Sequence, residues 1–317
     1  MTVALVPPVS LRQLQYLVAV ADTRSFHRAA DACHVAQPSL SAQVALAEEL
    51  LGLQVFERDR RGVRITSAGE ALVRQARQVL LAASDLRDLA LQYSDPFRGT
   101  LRLGVIPTVG PYLLPELTPA LARTFPDLTL QWTEERTSAL VRQLNDGALD
   151  GAILALEADI GQCEYALLGR DPFVLAASPA HPLMKSRKPA ALQELNGASL
   201  LLLDEGHCFR DQVAGLCTQT GAKTTSFRAT SLSTLVQMAS AGTGVTLLPS
   251  LAVPVENRRS QLRVRAFTPP GPGRTLVLAW RQEAALRPAL SRVADTMRTA
   301  FARGRSGKPD ESRAPSR

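Results

Sequence analysis

From Ser67 onward, apolar residues recur at alternating spacings of four and three: Leu72, Ala76, Val79, Ala83, Leu86, Ala90 and Tyr93. This is a heptad seam, and a helix of about 27 residues carrying it reaches on the order of 40 Å. Ser67 and Glu70 stand at its start with the spacing of a capping box. So regular a seam argues for a partner helix, with packing on the chain's own domain as the alternative. The helix also divides the 317 residues. Residues 1–66 form a head, 67–95 the linker, 96–303 a large body, and 304–317 a polar tail expected to be disordered.

In the head, Leu11, Leu14, Leu17, Val18 and Ala21 make one amphipathic helix. Ser25 caps a second, carrying Phe26, Ala29, Ala30 and Cys33, and the turn His34 to Ala36 leads into a third that opens Gln37-Pro38-Ser39. Two short helices joined tightly read as helix-turn-helix, with a structural three-helix unit as the bland alternative. Leu40, Val44 and Ala47 face the core, leaving Gln37, Ser39, Ala42 and Gln43 outward, where an amide can pair with adenine. Gly52 to Phe56 and Val63 to Thr66 read as two strands of a wing around Glu57 to Gly62, with Arg58, Arg60, Arg61 and Arg64 placed for phosphate.

Composition excludes several classes. The chain is 45% apolar and 21% charged, ordinary for a globular protein, and no stretch approaches the roughly 18 apolar residues of a membrane span. The start MTVALVPPVS lacks the basic and apolar regions of a signal peptide, so a cytoplasmic location is expected. Four cysteines are too few for a secreted disulfide framework. A net charge of +7 suits a nucleic-acid binder, although much of the excess lies in the last third and the head is nearly balanced.

The body alternates apolar runs with helical stretches. Strands are expected at Thr100–Ile106, Leu128–Trp132, Ala152–Ala155, Phe173–Ala177, Leu200–Leu203, Val245–Leu248 and Thr275–Trp280. Helices are expected at Tyr112–Phe125, Ser138–Asn145, Ser231–Ala241 and Pro288–Ala302. The alternation predicts α/β layers around a mostly parallel sheet. Thr108 and Thr137 each stand where a strand gives way to a helix, able to offer a hydroxyl to a ligand or to serve as an N-cap. Gly242-Thr243-Gly244 lies after a helix and before a strand, the wrong order for a dinucleotide site.

One segment concentrates chemistry. After the strand Leu200–Leu203 and the turn Asp204-Glu205-Gly206, Phe209, Val213, Leu216 and Cys217 form one face of a helix that Gly221 could close. Cys208 sits at its start, where the dipole, Arg210 and His207 favour a thiolate. Cys217, on the apolar face, is expected to be a quiet thiol. Nine residues of helix hold the two Cα atoms about 13.5 Å apart, whereas a disulfide needs them within roughly 7 Å. A bridge therefore requires unwinding, which makes the pair a candidate switch. Two small buried hydrophobes are the plain alternative. A metal site lacks a fourth ligand, and among four histidines, His27, His34, His181 and His207, nothing marks the base of a cysteine hydrolase.

Two stretches resemble a known family. SFHRAADACHVAQPSLSAQVALAEELLGLQVFERDRRGVRITSAGE, within residues 11 to 70, resembles the winged helix-turn-helix of the LysR-type transcriptional regulators. GHCFRDQVAGLC, followed by FRATSLSTLVQMASAGTGVTLLPSLAVP, resembles the peroxide-sensing OxyR subgroup of that family. The resemblance implies a transcriptional regulator, not an enzyme, that needs no cofactor or metal. It implies a linker helix used for dimerisation and a periplasmic-binding-protein-like body of two subdomains, 96–172 with 274–303 and 173–273, with ligand between them. It further implies that Cys208 is the peroxidatic cysteine and Cys217 the resolving one. Thr108, Thr137, His207 and Asp211 would organise the peroxide pocket, with Arg210 beside them, and Arg274 would support the thiolate. Hydrogen peroxide, pseudo-palindromic double-stranded DNA, further copies in a dimer of dimers and RNA polymerase are the implied partners. Cys33 and Cys163 are expected outside the switch. A LysR-type regulator with a small organic inducer and a thiol peroxidase with a DNA-binding domain are the rival readings. Stoichiometric oxidation rather than turnover separates sensor from enzyme.

Overall fold

The computed structural model describes residues 8–59, 62–94, 97–282, 284 and 286–305. Its contacts divide the chain into two compact units, one ending at Ala90 and the other beginning at Leu91.

The first unit contains α1 (Leu11–Thr23), α2 (Phe26–Ala32), α3 (Gln37–Leu51), β1 (Phe56–Asp59), β2 (Gly62–Ile65) and α4 (Ser67–Ser94), which runs on into the second unit. Ser10 and Gln13 form a reciprocal capping box on α1, and Ser25 accepts from the Arg28 amide to start α2. Pro38 occupies the first turn of α3, where its missing N–H costs nothing, and Gly52 ends that helix in the left-handed region at φ 62°. Leu17, Val20, Ala29, Leu40, Val44 and Ala47 fill the core.

Two boundaries differ from expectation. Gly52 to Val55 is not strand, because the Glu48 carboxylate accepts from the amides of Val55 (2.7 Å) and Phe56 (2.9 Å) and holds the chain off the ladder until Phe56. Ser67 is already helical, and the cap of α4 is Thr66, whose hydroxyl accepts from Gly69 N at 2.9 Å. The heptad seam is also split. Ala76 is buried and Leu72 packs beside it in the unit's own core, so these two positions serve the head itself. Ala83 is half-buried, Val79 is exposed, and Leu86 is 71% exposed. The side chains of Ala90 and Tyr93 lie outside the described residues.

The second unit runs β3 (Gly99–Val105), α5 (Gly110–Thr124), β4 (Leu128–Glu134), α6 (Thr137–Asn145), β5 (Gly151–Ala155), β6 (Glu164–Ala177), β7 (Ser199–Leu203) and α7 (Cys208–Thr220). It continues through β8 (Lys223–Ala229), α8 (Leu232–Ser240), β9 (Val245–Pro249), α9 (Val253–Glu256), β10 (Arg263–Ala266), β11 (Gly273–Trp280) and α10 (Arg287–Arg305). The strands lie in the order β4-β3-β5-β11-β6-β9-β7-β8, with β10 beside β6. β3, β4 and β5 are parallel, as are β7, β8 and β9. The middle corrects the expectation of a mostly parallel sheet: β11 runs against both β5 and β6, and β6 against β9 and β10.

β6 is shared. Residues Glu164 to Pro172 pair with β11, and Phe173 to Ala177 pair with β9 and β10. Two cores result. The first lobe packs α5, α6 and α10 on its strands through Leu103, Leu117, Leu140, Ile153, Leu278 and Leu290. The second packs α7 and α8 through Leu201, Leu202, Phe209, Val213, Leu235 and Leu247. Strands β5 and β9 are buried at every position, so they read as continuous apolar runs.

Candidate functional site

The chain leaves β7 through a turn in which Gly206 has φ 87°, and a Cβ there would meet Arg136 Nη1 at 2.8 Å. His207 follows as the N-cap of α7 without a side-chain capping bond, and Cys208 is the first helical residue. Phe209, Val213 and Cys217 seal one face of α7 into the second-lobe core. Cys208 points elsewhere: it is half-buried and packs against the first-lobe core. Cys217 is 6% exposed, and burial pushes its thiol above the usual range. The two thiols are thus held by different cores, nine residues apart on an intact helix.

His207 corrects an expectation. It is buried, and burial first, then the Arg136 charge, hold its imidazole below the ordinary range against an opposing pull from Asp204. It is therefore neutral near pH 7 and adds no cation beside Cys208. Arg210 spans Glu205 and Asp211, each at 3.6 Å, and both acids are exposed.

Thr108 and Thr137 are both buried, and neither is an N-cap. The Thr108 hydroxyl accepts from Arg274 Nη1 at 2.6 Å, and its carbonyl accepts from Nη2 at 2.8 Å. The Thr137 hydroxyl is covered by protein yet has no hydrogen-bond partner. Arg274 is fully buried, forms an ion pair with Asp171 at 3.0 Å, and lies 5.8 Å from the centroid of the Phe209 ring. Phe209 in turn meets Phe173 edge-on at 5.0 Å. The structure therefore connects Thr108, Arg274 and the first turn of α7, while Asp211 faces outward.

A second bridge joins the lobes. Tyr112 of α5 donates to Glu256 Oε1 of α9 at 2.7 Å, and Ser233 of α8 donates to the same oxygen at 2.9 Å. Burial first, then Glu256, drive the phenol well above its ordinary range, so it stays a donor. Among the described residues, no group of three or more His, Cys, Asp or Glu is placed to hold a metal ion. No described helix is long and apolar enough to cross a membrane.

At the other candidate surface, Gln37, Pro38 and Ser39 are exposed at the start of α3. Gln37 donates to Ser41 Oγ at 3.0 Å. Gln43 departs from the expected outward orientation: it is half-buried, accepting from Gln13 Nε2 at 3.2 Å and so tying α3 to α1. Arg64 is exposed on β2, opposite Glu57. Arg60, Arg61 and the side chain of Arg58 lie outside the described residues.

Residues 11–70 match the bacterial regulatory helix-turn-helix of the lysR family, and residues 94–302 match the LysR substrate binding domain. The chain belongs to the LysR family. It falls in the OxyR subgroup. It is 45% identical to the hydrogen peroxide-inducible genes activator of Pectobacterium carotovorum subsp. carotovorum, across 92% of this chain and 96% of that one. Full-length OxyR from Pseudomonas aeruginosa, solved as a single-substitution variant, is 37% identical with a TM-score of 0.76, covering 92% of this chain and 95% of that one. A Corynebacterium glutamicum OxyR variant solved with hydrogen peroxide bound is 32% identical with a TM-score of 0.65 and covers 95% of each chain.

In this LysR-family regulator, Asp171, Arg136 and the Tyr112 to Glu256 bridge are parts of the site that carry no signal of their role in the sequence. Asp171 sits in an unremarked Arg-Asp-Pro stretch, 103 residues from the arginine it binds. A pairing at that separation has no local signal. Arg136 immediately precedes Thr137, so the expected hydroxyl pointed to the right turn but not to its guanidinium.

Proposed function

We propose that this transcriptional regulator responds to hydrogen peroxide through Cys208 and Cys217. The observation that carries the reading is their placement: Cys208 packs on the first-lobe core, while Cys217 is sealed in the second on the same helix. In the first step the Cys208 thiolate attacks one peroxide oxygen, the O–O bond breaks, and hydroxide leaves, giving a sulfenic acid. In the second the Cys217 sulfur attacks that sulfur, an S–S bond forms, the S–O bond breaks, and the oxygen departs with the thiol proton as water. The second step cannot occur on an intact α7, since about 13.5 Å of helix exceeds disulfide reach. Oxidation therefore unwinds α7 and frees it from one or both cores.

Thr108, Thr137 and His207 receive peroxide in this reading, and Arg274 supports the thiolate. The unpartnered Thr137 hydroxyl supports it, and the neutral His207 can accept or donate one hydrogen bond. Asp211 stands exposed beside them, paired at 3.6 Å with the half-buried Arg210. The names of the relatives above, one an activator of hydrogen peroxide-inducible genes and one a structure holding peroxide, support a response to peroxide. Gln37, Pro38 and Ser39 enter the DNA major groove, Arg64 and the wing arginines meet phosphate, and α4 pairs with a second copy, two such dimers and RNA polymerase completing the assembly on DNA.

Cys208→Ser should abolish the peroxide-dependent change in DNA footprint with the fold intact. Cys217→Ser should let Cys208 oxidise but leave a sulfenic acid that persists or over-oxidises. Peptide mapping of oxidised wild type should find the Cys208 to Cys217 bridge, with faster amide exchange between Phe209 and Leu216. A peroxide-dependent footprint in Cys208→Ser would hand the sensor role to another ligand.

A further inference from the structure

Asp171 and Arg274 face each other across β6 and β11, at the point where β6 passes from one lobe to the other. Both are fully buried. Asp171 Oδ2 accepts from Arg274 Nε at 3.1 Å and pairs with Nη2 at 3.0 Å. Its Oδ1 accepts from Ser250 Oγ at 3.0 Å and Leu251 N at 3.1 Å. One carboxylate so gathers β6, β11 and the segment after β9. Taking both charges out of water is costly, and such a pair returns little net stability compared with apolar side chains of the same size. Apolar side chains could close this junction, but they could not aim a guanidinium. Arg274, held along its Nε edge, presents Nη1 and Nη2 to Thr108 and lies against Phe209, the neighbour of Cys208.

We propose that Asp171 is a positioning residue of the peroxide switch, holding the Arg274 guanidinium on Thr108 and against Phe209 and thereby setting the reactivity of Cys208. The inference rests on the reading of Cys208 as the oxidised thiol. Asp171 touches neither peroxide nor sulfur. The charged and titratable groups around that turn are Asp204, Glu205, His207, Arg210 and Asp211 on its own segment and Arg136 from the first lobe, so the variants below leave all six in place.

The test is the rate of Cys208 oxidation by hydrogen peroxide across pH, measured on the full chain. Asp171→Asn keeps an acceptor for Ser250 and Leu251 but removes the charge that orients Arg274. Oxidation should slow by about tenfold or more, with the midpoint of its pH profile moved upward. A faster reaction with the midpoint moved downward would mean that Asp171 only cancels the Arg274 charge, overturning the proposal. An unchanged profile would overturn it too, whether or not Arg274→Met slows the reaction. Should Asp171→Asn fail to fold, Ser250→Ala removes one of the contacts to the carboxylate and should move the profile the same way by less. The apolar pair Asp171→Leu with Arg274→Met should fold and react no more slowly than Arg274→Met alone, because the two residues act as one. Independent, additive losses would sink the idea. If Cys208 of the wild type does not oxidise at all, the fault lies with the underlying functional reading rather than with Asp171.

Discussion

His207 is held neutral inside the turn that launches α7, and this has a consequence for stability. Because burial and Arg136 depress its folded pKa, the unfolded chain binds that proton more readily than the folded one. The contribution is complete above the unfolded value of about 6.5 and is lost as pH falls through it toward the lower folded value. The protection factors of the Asp204 to Arg210 amides, which remove the intrinsic pH dependence of exchange, should therefore fall as pH drops through about 6.5, and His207→Gln should remove that dependence. Protection factors as pH-insensitive in wild type as in His207→Gln would show that the imidazole is not buried. Residues of this kind divide by what the sequence can reveal. The helical position of Cys208 and the sealed position of Cys217 were legible, because both follow from local periodicity. The charge state of His207 was not, since the Arg136 that helps to set it comes from another strand-to-helix junction.

At the scale of elements, α4 shows one helix serving two ends. Its first turns complete the core of the head through Leu72, Val73 and Ala76, and beyond them Val79 and Leu86 stand exposed. Burying a leucine of this kind against a partner gains roughly 1.5–3 kcal/mol. Leu86→Asp should place paired carboxylates in that contact and dissociate the proposed dimer, as sedimentation at micromolar concentration would show. An unchanged assembly state would remove α4 beyond Val79 from the interface. The seam was legible as a period, but the period alone could not tell a partner from the chain's own core. Strands divide likewise. Those buried on both faces, such as β5, β7 and β9, were visible as apolar runs. β8 (KTTSFRA) and β10 (RVRA) are polar edge strands, and neither was anticipated. The first half of β6, with Arg170, Asp171 and Pro172, hid for the same reason: its burial comes from β11, more than a hundred residues away.

At the scale of the whole molecule, β6 continues for 14 residues through both lobes of the second unit. The lobes therefore share backbone hydrogen bonds along one strand rather than meeting through a loose linker. Leu117→Ala, in the first-lobe core, should cost about 2–5 kcal/mol and raise amide exchange in β7 and β9 of the second lobe as well as in β3 and β5. Acceleration confined to the first lobe would show that the lobes open separately. A strand that cannot stretch or fold at the crossing can still turn about its own length. Were α7 to let go of a core as proposed, the response that a continuous strand permits would be a twist of one lobe against the other, with β6 as a torsion bar and a torque as the output of a chemical event at sulfur.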